Sequence, residues 1–404
     1  MARLESFAML LQPQDKRREL SEVARLFLKL GATAFGGPAA HIALMEHEVV
    51  RRRQWLSREE FLDLLGATNL IPGPNSTEMA IHIGHRRAGW AGLVVAGLCF
   101  ILPATLIVTL MAWAYVRFGQ LPKAEGLLYG IKPVIIAIIV QALWGFGRTA
   151  LKSNTLVALG LGVVGLAILG IHELILLFGA GLIMGILHRA KQRGTAKSTA
   201  PPASSASIIP FLAVGGGAGG AGAAAAAVSF SYGSMFLFFL KVGAVLYGSG
   251  YVLLAFLRAD LVDRWQWLTE AQLLDAIAVG QFTPGPLFTT ATFIGYLLGG
   301  VSGAGLATVG IFLPAFVFVA ISGPLIPRLR RSPTAGAVLD GVNVASLALM
   351  AVVTVYLGRG ALVDLPTLLL AILSGLFLAR FRLNSAWLVM GGGVVGLAVK
   401  WPWG

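Results

Sequence analysis

Charge is scarce in this chain. Only 12% of its 404 residues are Asp, Glu, Lys or Arg, while 57% are hydrophobic; soluble domains carry roughly 25% charged residues. The shortage excludes an ordinary soluble domain and points to a polytopic membrane protein, with room for roughly a dozen spans of about 20 residues each. The single cysteine, Cys99, excludes an intrachain disulfide and a thiolate metal site. The first 20 residues have no short apolar core followed by a small-residue cleavage site, so no removable signal peptide is expected. HExxH, Walker, GxSxG and Cys/His-cluster motifs are also missing, so neither an enzyme nor an ATP-driven pump is expected, and no cofactor. The net charge of +13 lies largely in short segments between apolar runs, where Lys and Arg set topology. The expected partner of that charge is the lipid bilayer, not nucleic acid.

What the chain does contain, it contains twice. "FLKLGATAFG" at 27–36 returns as "FLKVGAVLYG" at 239–248, an offset of 212 residues. The offset holds through Trp55-Leu56 and Trp267-Leu268, Asp63 and Asp275, to Pro72-Gly73-Pro74 and Pro284-Gly285-Pro286. Over Phe27–Thr77, 18 of 51 positions are identical. One deletion then shifts the offset to 211, pairing Gly84 with Gly295 and Leu102-Pro103-Ala104 with Leu313-Pro314-Ala315. Shared apolar composition would not hold Trp, Asp, Lys and PGP in one register. The organisation read from this is a cytoplasmic segment 1–20, an N-terminal repeat 21–190, a basic Pro/Ser/Ala-rich linker 191–206, an extra span 207–229, and a C-terminal repeat 230–404.

The expected fold is all-α, with about 13 transmembrane segments near 21–48, 60–85, 89–117, 124–148, 153–170, 172–189, 207–229, 232–257, 271–296, 298–325, 335–357, 361–379 and 384–402. The 207–229 run has no counterpart in the first half, so it makes the two halves inverted repeats, a common transporter plan. With the N-terminus inside, Lys16 to Arg18, Arg86-Arg87, Arg148, Lys152, the linker, Arg258, Arg264, Arg328 to Arg331, Arg380 and Arg382 fall inside. Arg51-Arg52-Arg53 fall outside. Either the first segment does not fully cross or those arginines have another task, such as gathering anions at one mouth.

Ahead of each PGP stands a helix start. Ser57 with Glu60, and Thr269 with Gln272, have capping-box spacing, and Leu56/Phe61 and Leu268/Leu273 can form hydrophobic staples. Each helix is stopped after about ten to twelve residues by a proline that lacks the amide donor. A second piece begins beyond, with Asn75 as cap and Glu78 as its box partner in the first copy. The expectation is a helix-break (PGP) hairpin in each half. Such breaks are tolerated in a membrane where protein shields them or a polar cavity is lined. The new helix start offers free amides and a positive dipole end, which suit an anion. The candidate substrate-binding residues are Asn69, Pro72, Gly73, Pro74, Asn75, Ser76 and Thr77, with Gln281, Thr283, Pro284, Gly285, Pro286, Thr289 and Thr290 in the second copy. The plainer alternative is a kink with caps. Lys29 and Lys241, deep in apolar runs at matching positions, join the list, because a cation there is costly and marks function; snorkelling is the alternative. His41, Glu78, Arg51 and Arg52 are candidates for coupling or gating. No metal ligands are expected.

"FGGPAAHIALMEHEVV", "WLSREEFLDLLGATNLIPGPNSTEMAIHIGHRRAGW" and "FTPGPLFTTATFIGYLLGG" resemble the chromate ion transporter family, in its long-chain, two-domain form, most clearly over 21–325. The resemblance implies a cytoplasmic-membrane protein that exports chromate and confers resistance. Alternating access driven by the membrane potential, the proton gradient or both is the expectation that goes with it. From the residues alone, sulfate or another tetrahedral oxyanion, an anion channel and a non-transporting scaffold stay open, as does a homodimeric assembly.

Overall fold

The computed structural model describes residues 13–119, 121–196, 229–247, 250–330, 332–381 and 385–400. Residues 1–12, the linker beyond Ala196 and 207–228 of the extra span lie outside the described residues.

Among the described residues the chain is helical throughout, with no strand. In order come α1 (Pro13–Thr33), α2 (Gly37–Glu46), α3 (Arg58–Thr68), α4 (Asn75–Phe118), α5 (Pro122–Ala150), α6 (Asn154–Ile168) and α7 (Glu173–Ala196). The second half has α8 (Tyr232–Val245), the short α9 (Leu253–Phe256), α10 (Glu270–Phe282), α11 (Thr290–Arg330), α12 (Pro333–Ala361), α13 (Leu365–Phe381) and α14 (Ser385–Lys400). α7 runs through Ala196, so the stretch read as a linker from 191 begins as helix. Among the described residues five stretches are long and apolar enough to cross a membrane: Asn75–Phe118, Ala124–Ala150, Glu173–Gln192, Leu287–Ser322 and Pro333–Ala361.

The sequence repeat is a structural repeat. π-Helical turns follow α2 at His47–Arg52 and α9 at Leu257–Arg264. Gln54 and Gln266, matched positions, are the two non-glycine residues with positive φ among the described residues. Both capping boxes form, Ser57 with Glu60 and Thr269 with Gln272. The Ser57 amide, helped by Arg86, holds the Glu60 carboxyl below the usual carboxylate range. α4 and α11 each fold back on themselves at a matched turn, Ala88-Gly89 and Gly299-Gly300. The arms of each touch through bare backbone: a Cβ on Gly84 would meet the Gly92 carbonyl, and one on Gly295 the Gly303 carbonyl.

The first two segments of each half fold back on themselves instead of running straight through the molecule. Arg87 pairs with Glu19 and Glu22 of α1, and both it and Arg53 stack on Trp55 at 5.2 Å. Arg86, at the end of the first arm of α4, pairs with Glu60 at the start of α3 at 3.1 Å. Thus the outer ends of α1, α2 with its π turn, α3 and the first arm of α4 gather at one face. Their inner ends meet at the breaks. α3 has 11 residues, about 16 Å at 1.5 Å per residue, against a hydrocarbon core of about 30 Å. Two helix hairpins therefore stand where 21–48 and 60–85 were read as spans. Arg51 to Arg53 consequently lie on the face of Arg18, Arg86 and Arg87, not the opposite one.

The second half repeats this at the other end of α4. Phe230 and Phe238 pack on Trp267 and Trp265, and the Tyr232 hydroxyl donates to the Gly299 carbonyl at 3.2 Å. Tyr115, near the C-terminus of α4, donates to Asp275 of α10 at 2.9 Å and packs on Phe293 at 5.3 Å. The hairpin feet of the second half thus surround the far end of α4. Arg258 and Arg264 sit on this far face, and not with the N-terminal basic clusters. They are neutralised there by Asp263 and Glu270, and by Asp260 and Glu173.

A cysteine introduced at Arg51, in a Cys99→Ala background, is expected to react with a membrane-impermeant maleimide from the side that labels Arg18→Cys. Labelling from the opposite side restores the first segment as a crossing.

Candidate anion site at the helix breaks

Each break is closed by the other half. The Gly73 amide donates to the Leu246 carbonyl at 2.8 Å, and the Gly285 amide donates to the Ala34 carbonyl at 2.9 Å. Leu246 and Ala34 are repeat-equivalent, as are the two glycines, so this is the reciprocal pairing that a two-fold relation produces. Ala34 and Leu246 end the first helix of each half, where the carbonyls run out of intrahelical donors. The glycines are required. Gly73 has φ +138° and Gly285 φ +87°, and no other residue adopts such backbone without strain. A Cβ on Gly285 would also strike Ala104 and approach the Gly31 carbonyl, while one on Gly73 would strike the Glu78 carboxyl.

In the first break Asn69 caps the end of α3 and accepts from the Asn75 side-chain amide at 2.9 Å. Asn75 is not the cap expected of it. Pro74 occupies that position with no side-chain bond, and its carbonyl takes the Thr77 and Glu78 amides. The Asn75–Glu78 capping box therefore does not form. The reason is geometric: Pro74 ends the turn one residue early and Asn75 is spent on Asn69. Ser76, Thr77 and Glu78 are buried, and the Thr77 hydroxyl and both Glu78 oxygens are buried without a hydrogen-bond partner. Helix starts leave their first amides unsatisfied, so the Asn75 and Ser76 amides and the Thr77 hydroxyl form the donor set here. Pro72 and Pro74 frame it.

The second break is built differently. A single 3₁₀ turn, Leu287–Thr289, starts the helix. Thr283 donates to the Val279 carbonyl, Thr289 to Pro286 and Thr290 to Leu287, at 2.9–3.0 Å. Their hydroxyl protons are used by backbone, which satisfies carbonyls beside Pro284 and Pro286. A small cleft runs along this break, lined by Gly36, Gly37, Gly280, Gln281, Thr283, Gly285 and Leu287. Its volume is about 10 Å³, room for about one water, so an oxyanion enters only if the elements part.

Of the remaining candidates, the lysines and arginines lie apart from the breaks. Lys29 reaches Glu48 at 3.1 Å, and Glu48 also takes Arg52 and Arg53. Lys241 reaches Asp260 at 2.6 Å, and Asp260 also takes Arg264. The two networks are repeat-equivalent and tie the first helix of each half to its returning π turn. Arg51 pairs with Glu46 at 3.5 Å. His41 is buried, its Nε2 at 3.0 Å from the same Ala34 carbonyl that accepts Gly285, its ring edge-on to Phe100. Sequence reasoning passed over Lys132, whose ammonium lies 2.9 Å from Asp275, and His82, whose buried Nε2 has no partner. Both stood visible as lone ionisable residues inside apolar runs.

Comparison with known proteins agrees with this twofold design. The sequence model of the family described as Chromate transporter matches twice, over residues 21–186 and 233–397. The chain is 30% identical over 396 residues to a chromate transport protein of Cupriavidus metallidurans, covering 95% of this chain and 94% of that one. It is 32% identical over 387 residues to a chromate transport protein of Pseudomonas aeruginosa, covering 92% and 91%. It is 31% identical over 357 residues to a probable chromate transport protein of Synechococcus elongatus, covering 88% of each. No solved structure matches.

Gly285→Ala is expected to lower stability by about 1–3 kcal/mol and to abolish flux, read by thermal unfolding in detergent and by vesicle transport. Lys241→Met alone is expected to cost about 1–2 kcal/mol, discounted because the lysine is one-third exposed. Lys241→Met combined with Asp260→Asn is expected to recover most of that stability, and flux with it. A stable but inactive double variant would instead make Lys241 a ligand.

Proposed function

The chain belongs to the chromate transporter family, and we propose that it exports chromate across the bacterial inner membrane by alternating access, conferring chromate resistance. The observation that carries this reading is the reciprocal pair of bonds between the breaks and the opposite half. A break whose backbone is satisfied by the other half becomes open to a ligand when the halves move, and closed when they return. That is what alternating access asks of a central site.

In the bilayer the two repeats are inverted. The eight crossing elements are the second arm of α4, α5, α6, α7, the second arm of α11, α12, α13 and α14. The 207–228 stretch lies outside the described residues, and in this reading four of the thirteen expected spans are re-entrant hairpins. Lys16 to Arg18, Arg51 to Arg53, Arg86-Arg87, Arg148, Lys152 and the linker then share the cytoplasmic face.

The anion is held where helix starts supply donors: the Asn75 and Ser76 amides and the Thr77 hydroxyl in the first break, with the cleft of Gln281 and Thr283 opposite. The dipole end of the 75–87 helical arm favours negative charge. Lys29 and Lys241, held by Glu48 and Asp260, brace the hairpins instead. Export of a dianion toward a positive exterior gains about 2.3 kcal/mol per charge per 100 mV, about 4.6 for two charges.

In inverted membrane vesicles, chromate uptake is expected to be saturable, to rise with an interior-positive potential, to fall when the potential is collapsed, and to be competed by sulfate. Non-saturable flux without counterflow would favour a channel. Vesicles with the protein present but no uptake above control would end the reading.

A further inference from the structure

The first break differs from the second by one buried acid. Glu78 is fully buried, and its two carboxyl oxygens have no hydrogen-bond partner. It lies on the first turn of the 75–87 arm, its Oε1 against the Gly73 backbone, beside the amides that would receive the anion. The repeat alignment has no residue for it in the second half, where the deletion falls. One helical turn on, His82 is buried with an unpartnered Nε2, and its counterpart in the second half is Phe293. Residues four apart share a helix face, so Glu78 and His82 form an ionisable stripe on one half only.

No capping role accounts for Glu78, since the capping box does not form and its carboxyl makes no bond. Among the described residues no ion pair accounts for it either. The groups around it are few. Tyr247, beside the Leu246 that holds Gly73, is its titratable neighbour from the second half. α11 presents Ala315 to Gly73, α3 presents Asn69, held by Asn75, and Lys29 of α1 is taken by Glu48. Buried polar groups without partners are rare in native proteins and call for an explanation, and an ionisable one at membrane depth marks a proton or ion pathway.

We propose that Glu78 is a proton-binding site linked to the anion at the first break, so that one proton is carried with each oxyanion. The inference rests on the anion-transport reading above. The reason is the closeness of like charges. An ionised Glu78 and a dianion at the Asn75 and Ser76 amides would share one site with no cation between them. The Glu78 carboxylate takes a proton from the side to which the site is open, by way of His82. The anion and proton then cross together, and the proton leaves when the anion does. As an acid, Glu78 also turns from a repelling acceptor into an O–H donor toward the bound oxyanion. Transport then moves about one net negative charge per divalent anion, not two, and the proton gradient is coupled to flux with the sign of co-transport.

The test uses the full-length protein in proteoliposomes, with sulfate, and with chromate at pH values where it stays fully ionised. Charge movement and isotope flux are measured together, with a pH indicator in weak buffer. The wild type is expected to move about one net charge per anion with accompanying proton uptake, and its anion affinity to fall up to tenfold per pH unit as Glu78 ionises. Glu78→Gln is expected to move about two charges per anion, with no proton and no pH dependence of affinity. If Glu78→Gln does not fold, the wild-type charge ratio and proton signal decide alone. Two charges per anion and no proton signal in the wild type would overturn the proposal while leaving transport intact, as would an unchanged pH profile in Glu78→Gln. Absence of any saturable anion flux in the wild type would overturn the transport reading instead.

Discussion

Four helix ends meet inside this protein, and two hydrogen bonds let them do so. A helix cut short at membrane depth exposes carbonyls at one end and amides at the other, each costing several kcal/mol in hydrocarbon. Here the Gly73 and Gly285 amides are delivered to the carbonyls of Leu246 and Ala34, each from the half that does not contain it. The constraint reaches outward. It demands a glycine at each break, a second half turned against the first, and an interface of small residues such as Ala104 and Ala315, through which backbone can approach. Each break is thus closed by the half that does not contain it.

Around that centre the architecture divides labour. The hairpins, four in all and short, carry the breaks. The long second arms of α4 and α11 separate the faces and pack against the breaks through Ala104 and Ala315. The lysine–carboxylate–arginine networks on Glu48 and Asp260 hold each returning π turn to the first helix of its half. The inter-half contact at Asp275, with Tyr115 and Lys132, is polar and lies toward the far face, whereas Ile71, Ile81 and Leu93 meet Ala315, Phe316 and Val319 through an apolar contact. The two contacts between the halves therefore differ in chemistry.

The amino-acid sequence alone settles a good deal. Scarce charge marks the membrane. Matched Trp, Asp, Lys and PGP mark the duplication, and Ser57 and Thr269 mark the helix starts, because capping and proline effects act within a few residues and survive any tertiary context. Three points needed the fold. Hydropathy counts apolar residues but is blind to whether a segment passes through or turns back, so four of the thirteen stretches read as spans fold as short helix hairpins. The Arg86–Glu60 pair and the Arg87 contacts, between residues far apart in the chain, decide it. The lysines read as ligands from their depth find carboxylates nineteen residues on, a pairing that no local spacing rule reveals. Glu78, explained by spacing as a helix cap, loses that explanation because Pro74 takes the cap and Asn69 takes Asn75. Local order was written in the sequence because it depends on neighbours along the chain; the site was decided by the tertiary structure because its partners come from the other half.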